Sequence, residues 1–146
     1  MADRPTPWAE RATAQLRSAG LRNGAAREAV IRYLDRQACC VAAQRIHDDL
    51  RAADRPVGLA SVYRVLETLA DNGLVHRLDL GDGVARFEAA RQDEHHHHHL
   101  VCDDCGKVEA FADDGLERVI RDVEQRSGYT VQAHEVVLRG ACTTCR

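Results

Sequence analysis

Two residue patterns in this 146-residue chain have the types and spacing to do chemistry. The first is a pair of short cysteine repeats, Cys102-x2-Cys105 and Cys142-x2-Cys145. Two thiolates separated by two residues grip one ion from a tight knuckle, and four complete the closed tetrahedron of a structural zinc site. The second pattern is the run His95-His96-His97-His98-His99, which leads into Leu100-Val101-Cys102. Along an extended chain the side chains alternate in direction, so His97 and His99 face one way while His96 and His98 face the other. One strand can therefore feed two separate sites. Neutral imidazole together with carboxylate suits iron(II), manganese, cobalt, nickel or zinc, and such donors exchange metal more readily than a closed thiolate cage. Glu88, Glu117, His134 and the adjacent pair Cys39-Cys40 are the further candidate donors.

Catalysis fits this inventory poorly, and no catalytic residues are assigned. A zinc hydrolase needs an open coordination position beside a general base. The deaminase signature His-x-Glu with Pro-Cys-x-x-Cys is absent, since His134 and Glu135 are adjacent and no proline precedes either cysteine pair. A disulfide framework is also disfavoured. The chain has no run of apolar residues long enough to span a membrane and no secretory pattern at its start, so a cytoplasmic location is expected, where thiols stay reduced.

Charge divides the chain unevenly. Residues 1–90 carry 13 Arg against 12 acidic side chains, net +1, and residues 91–146 carry 7 basic against 11 acidic, net −4. Every basic residue from Arg4 to Arg45 is arginine, the side chain best matched to phosphate.

The elements that must position these residues follow from periodicity. Helical patterns run from Trp8 to about Ala19, over 24–36, from Val41 to Ala53, and over 60–72, where Leu59, Val62, Leu66 and Leu69 share a face. The period then falls to two. Residues 75–80 and 84–88 read as a hairpin around Gly81-Asp82-Gly83. Helices followed by a hairpin make a winged helix-turn-helix, with 60–72 as the helix for the major groove. A polar stretch, 89–94, reads as a hinge. Beyond it the expected order is a strand over 95–101, the cysteine knuckle, a strand over 107–111, a helix over 114–127 and strands over 129–132 and 134–139. Leu116, Val119, Ile120 and Val123 form the apolar stripe of that helix. The expected class is α+β: a winged-helix domain (1–88), a hinge (89–94) and a small α/β metal-binding domain (95–146) that is too short to bury a large core without an ion.

From about Leu21 to Cys145 the chain resembles the ferric uptake regulator family of metal-responsive transcription repressors. The resemblance rests on Gly20-Leu21-Arg22, on the run from Gly58 to Leu66 (GLASVYRVL), on Ala70-Asp71-Asn72-Gly73-Leu74-Val75, on Arg86-Phe87-Glu88, and on His96 through Lys107. It implies a homodimer that binds a palindromic operator in double-stranded DNA, with no membrane partner. Cys102, Cys105, Cys142 and Cys145 match the structural zinc site. His96, His98, Glu117 and His134 match a second site in the dimerisation domain. Glu88, His97 and His99 match the regulatory site at the hinge, which takes a further ligand from the DNA-binding domain, here Cys40 or His76. Ser61, Tyr63 and Arg64 match DNA-contacting positions. The resemblance implies repression of metal-uptake genes in response to iron(II), with zinc the alternative sensed ion and manganese a third. A peroxide-responsive regulator and a metal storage or delivery protein are the more distant alternatives.

Several positions depart from the family pattern. Cys40 stands where iron-sensing relatives usually place a His, and a thiolate there favours zinc or another softer ion. Glu88 and His76 stand where the zinc-sensing branch often has Cys and Asp. Ala110 stands where many relatives have a carboxylate, a role that neighbouring Glu109 could take over. Glu88 also differs from the Asp that a peroxide sensor prefers.

Overall fold

The computed structural model describes residues 6–92 and 96–146. The chain divides into two compact units, residues 1–94 and 95–146.

The first unit opens with α1 (Pro7–Ser18), α2 (Ala25–Asp35), a short strand β1 (Val41–Ala42), α3 (Ala43–Ala52) and α4 (Leu59–Asp71). The hairpin strands β2 (Val75–Asp79) and β3 (Ala85–Ala89) follow, and the three strands form an antiparallel sheet in the order β1-β3-β2. This is the winged helix-turn-helix that the periodicity indicates. Its core is apolar and closed: Leu16, Leu34, Ile46, Val62, Leu66, Leu69, Leu74 and Phe87 are all at most 2% exposed. The turn from α4 into the wing is fixed by backbone geometry. Gly73 adopts φ 68°, and the amides of Gly73 and Leu74 reach back to the carbonyls of Ala70 and Leu69 at 3.0 and 2.9 Å. A residue with a Cβ is strained at that φ, so the helix stop and the start of β2 are set together.

The β1 strand was not expected from sequence, because two residues are too few to show a period. Its register, Val41 opposite Phe87 and Ala42 opposite Arg86, lays the preceding Cys39-Cys40 segment along the part of β3 that carries Glu88. The expected hinge is also shorter on its first side. Ala89 ends β3, the Ala90 amide donates to the Leu74 carbonyl at 2.9 Å, and the Arg91 guanidinium donates to the Asp35 carbonyl at 2.7 Å. Within the expected hinge and the start of the His run, residues 93–95 lie outside the described residues.

The second unit contains β4 (His98–Cys102), β5 (Val108–Phe111), α5 (Asp114–Ser127) and β6 (Val137–Gly140). Strand β4 is central, antiparallel to β5 and parallel to β6. Helix α5 starts where the Asp113 carboxylate accepts from the Leu116 amide at 2.8 Å and stops at Gly128. The strand expected over 129–132 does not form. Backbone donors there are taken by helix side chains: Val131 N–H donates to Glu124 Oε1 at 2.9 Å and Tyr129 N–H to Ser127 Oγ at 3.4 Å. His134 accordingly lies in irregular chain before β6 rather than at the head of a strand.

Candidate metal centres and recognition helix

The parallel pairing of β6 with β4 sets Cys102 opposite Gly140, and the Asp103 amide donates to the Gly140 carbonyl at 2.8 Å. This register brings the C-terminal knuckle against the first. The sulfurs of Cys102, Cys105, Cys142 and Cys145 all lie within 4.8 Å of one another. The knuckle backbones face the sulfurs, and Cys142 N–H donates to Cys102 Sγ at 3.3 Å. Amide donors, the Cys105 N–H foremost, bring the Cys102 thiol down to about 6. Cys142 is likewise lowered, chiefly by the Thr144 amide. Cys145 is pushed up to about 12, first by its contact with Cys142. Four neighbouring sulfurs cannot all carry charge unaided, and a dication relieves that repulsion. The donor set fits a closed tetrahedral zinc site.

A second cluster lies at the other end of β4. His98 Nε2 is 2.7 Å from Glu117 Oε1, His134 Nε2 is 3.0 Å from Glu117 Oε2, and His96 Nε2 is 4.0 Å from Glu117 Oε1. The ligand atoms of these four residues all fall within 4.8 Å of one another. Glu117 sits in the first turn of α5, where the helix dipole favours its negative charge. Its carboxyl is held below the usual range, first by the hydrogen bond from His98. Burial, followed by the neighbouring His134 and His98 rings, lowers His96. A carboxylate surrounded by three imidazoles is a borderline donor set that accepts iron(II), manganese or zinc.

The residues matched to the regulatory site are divided between the units, Glu88 in the first and His97 and His99 in the second. In the first, Cys39 Sγ and a Glu88 carboxylate oxygen lie within 4.8 Å, and Glu88 is buried on β3. In the second, a ring nitrogen of His97 and one of His99 lie within 4.8 Å, with ring centroids 5.1 Å apart. His99 is buried, and its Nδ1 is 3.8 Å from Glu135 Oε1. Within the first unit Cys39, rather than Cys40 or His76, is the donor grouped with Glu88. His76 is opposite Glu88 in the β2–β3 register, but its side chain is exposed. Cys40 contacts Cys39 at 3.9 Å between sulfurs, and its thiol is pushed up, first by that contact and then by burial. The missing signal was β1. Glu109 does not substitute for a carboxylate at Ala110: on β5 the two alternate in direction, and Glu109 pairs with Lys107 at 2.6 Å in an exposed position.

Helix α4 buries Val62, Val65, Leu66 and Leu69 and leaves Tyr63 and Arg64 exposed, with Arg64 donating to Ser61 Oγ at 2.9 Å. The wing beside it is held by Arg86, whose two nitrogens fork onto the Asp82 carboxylate at 3.0 and 2.7 Å.

Residues 18–139 match the model of the ferric uptake regulator family. The zinc uptake regulation protein of Mycobacterium tuberculosis is 36% identical over 131 residues, covering 88% of this chain and 98% of that one. The ferric uptake regulation protein of Yersinia pestis is 37% identical over 134 residues, covering 90% of this chain and 89% of that one. Among solved structures, the Helicobacter pylori ferric uptake regulator, described as having three functional metal-binding sites, superposes with a TM-score of 0.80 at 28% identity. That match covers 94% of this chain and 91% of the other.

Proposed function

This chain belongs to the ferric uptake regulator family, and from that premise we propose that it is a metal-dependent DNA-binding repressor of metal-uptake genes, acting as a cytoplasmic homodimer. Its chemistry is binding, not catalysis. The observation that carries the reading is the pairing, in one chain, of a winged helix with an exposed Tyr63–Arg64 face and clustered metal-donor side chains.

Cys102, Cys105, Cys142 and Cys145 would hold a permanent zinc ion, and His96, His98, Glu117 and His134 a second ion within the dimerisation domain. Glu88 of the first unit, with Cys39 beside it, and His97 and His99 of the second would hold the regulatory ion. When bound, that ion supplies a link between donors that belong to separate units. Linking them limits the positions that the two recognition helices of a dimer can take, so that both meet successive major grooves of a palindrome. Ser61, Tyr63 and Arg64 would contact the DNA there, Tyr63 with a face suited to a thymine methyl and Arg64 with a fork suited to phosphate or guanine. Dimer formation is supported by the second unit, whose α5 leaves Val119 and Val123 55% and 49% exposed.

Nitrogen and oxygen donors alone suit iron(II), and manganese also tolerates them. Cys39 beside Glu88 is the observation that favours zinc, because sulfur is a soft donor and zinc binds it more tightly than iron(II) or manganese does. The 36% identity to a zinc uptake regulation protein supports the same choice, while the 37% identity to a ferric uptake regulation protein supports iron(II). We assign zinc on the strength of Cys39.

The test is operator affinity at fixed salt, measured while free zinc, iron(II) or manganese is titrated in and the zinc of the four-cysteine site is left in place. Zinc should tighten binding by roughly 5- to 150-fold. Affinity that does not respond to any of the three ions overturns the repressor mechanism, and a response to iron(II) but not zinc overturns the metal assignment. Replacing Tyr63 and Arg64 separates a regulator from a storage protein: DNA binding should disappear while metal content stays unchanged.

A further inference from the structure

Between the start of α2 and α4 lies an open cavity of about 360 Å³ that is lined by three arginines, Arg22, Arg27 and Arg64, together with Ser61, Val65 and Thr68. None of its lining residues is acidic. Some arginines of the same unit are matched with carboxylates: Arg32 with Glu28, Arg45 with Asp49 and Arg86 with Asp82, at 2.7 to 2.9 Å. Among the described residues, Arg22, Arg27 and Arg64 have no such partner. Arg27 is half-buried and directs one Nη donor to the Arg22 carbonyl. Its Nε is buried and has no hydrogen-bond partner among the described residues. Arg64 is exposed and donates to Ser61 Oγ. The N-cap of α2 is Gly24, which also lines the cavity and has no side chain to accept from the first-turn amides.

Three guanidinium groups around one small cavity repel one another, and a buried donor without an acceptor is costly. Both costs fall when an anion with several acceptor oxygens occupies the space. Arginine matches a phosphate better than a lysine would, because its planar fork engages two oxygens at once. The cavity opens beside Ser61 and Arg64, on the same exposed side of α4 that the preceding reading directs at DNA. We propose that Arg22 and Arg27, with Arg64, seat a phosphate of the DNA backbone, so that α2 fixes how deeply α4 enters the groove. This rests on the DNA-binding reading. It adds two arginines that hold the protein in register while carrying no sequence information themselves.

The experiment measures affinity against salt concentration by fluorescence anisotropy, using metal-loaded dimer on two duplexes: one enriched by the wild-type protein from a random library, and one of random sequence. The variants are Arg27→Ala, Arg22→Ala, Arg27→Lys and, as a control outside the cavity, Arg51→Ala at another exposed position. Each phosphate contact contributes about 0.9 to the slope of log affinity against log salt. Arg27→Ala and Arg22→Ala should weaken both duplexes by the same factor and flatten the slope by up to about 0.9 per protomer. Arg27→Lys should keep most of the slope, and Arg51→Ala should match wild type. Because Arg22 is exposed, its removal tests the seat even if Arg27→Ala fails to fold. The proposal is overturned if Arg22→Ala and a folded Arg27→Ala leave the slope unchanged, or if they weaken the enriched duplex alone. A wild type that binds random duplex but shows no metal-dependent preference for any sequence sinks the repressor reading and leaves the slopes to decide the seat. A wild type that binds no duplex sinks both.

Discussion

The two units of this chain are held together by different physics. The first buries a continuous set of apolar side chains contributed by four helices and the wing, with Val30, Ile46, Val62, Leu66 and Leu69 fully enclosed. In the second, the buried described residues are Val101, Cys102, His98 and His99, and no residue of α5 is buried. Unit one can rely on water avoidance. Unit two has too little apolar surface covered to do so, and places clustered sulfur, imidazole and carboxylate groups where a core would be. Such clusters are repulsive or costly to desolvate until an ion occupies them. Burial therefore makes a unit indifferent to the metal supply, whereas ligation makes it dependent on that supply.

The largest effect that tests this contrast comes from removing the four-sulfur site. Cys102→Ser with Cys142→Ser, or a strong chelator, should unfold the second unit and leave the first with its own melting transition. Structural zinc sites contribute on the order of 10 kcal/mol of apparent folding free energy. Hydrogen exchange resolved by peptide is the readout. Equal loss of protection in both units would show that they fold as one body and erase the distinction.

A smaller effect is expected from Leu66→Ala, which empties a fully buried position in the first unit. It should cost about 2–5 kcal/mol in urea unfolding of that unit while zinc retention by the second stays unchanged. Zinc loss on this substitution would mean that the units share their stability.

Least disturbing to the fold is Val123→Glu, at an exposed site on α5. Exposed substitutions usually change stability by within about 0.5 kcal/mol. Sedimentation should nevertheless show dimers giving way to monomers, because a carboxylate in an apolar interface is desolvated without gaining a partner. Persistent dimers would place the contact between copies elsewhere.

How much was legible in advance follows the same division. The helices of the first unit could be read from recurring apolar positions, since a face that must be buried writes its period into the sequence. The alternation from His96 to His99 predicted two sets of donors, and the structure groups His96 with His98 and His97 with His99. Strand β1 was invisible at two residues, and with it the approach of Cys39 to Glu88. The segment 129–132 alternates like a strand, yet its amides bond to Glu124 and Ser127 side chains. The stripe Leu116, Val119, Ile120 and Val123 was correctly read as helical, but periodicity reports that a face is apolar and does not report what covers it.

Ligand chemistry at the two cysteine knuckles, the helical and wing periodicities, and the family were all written in the residues themselves, because spacing along one chain sets which groups can share a turn or a face. Tertiary structure decided which distant groups meet. It supplied the β4–β6 register that joins the knuckles, the loop that carries His134 to Glu117, and the β1–β3 register that brings a thiol to Glu88. These encounters depend on strand registers and loop paths spanning tens of residues, and no local pattern encodes a distance of that kind.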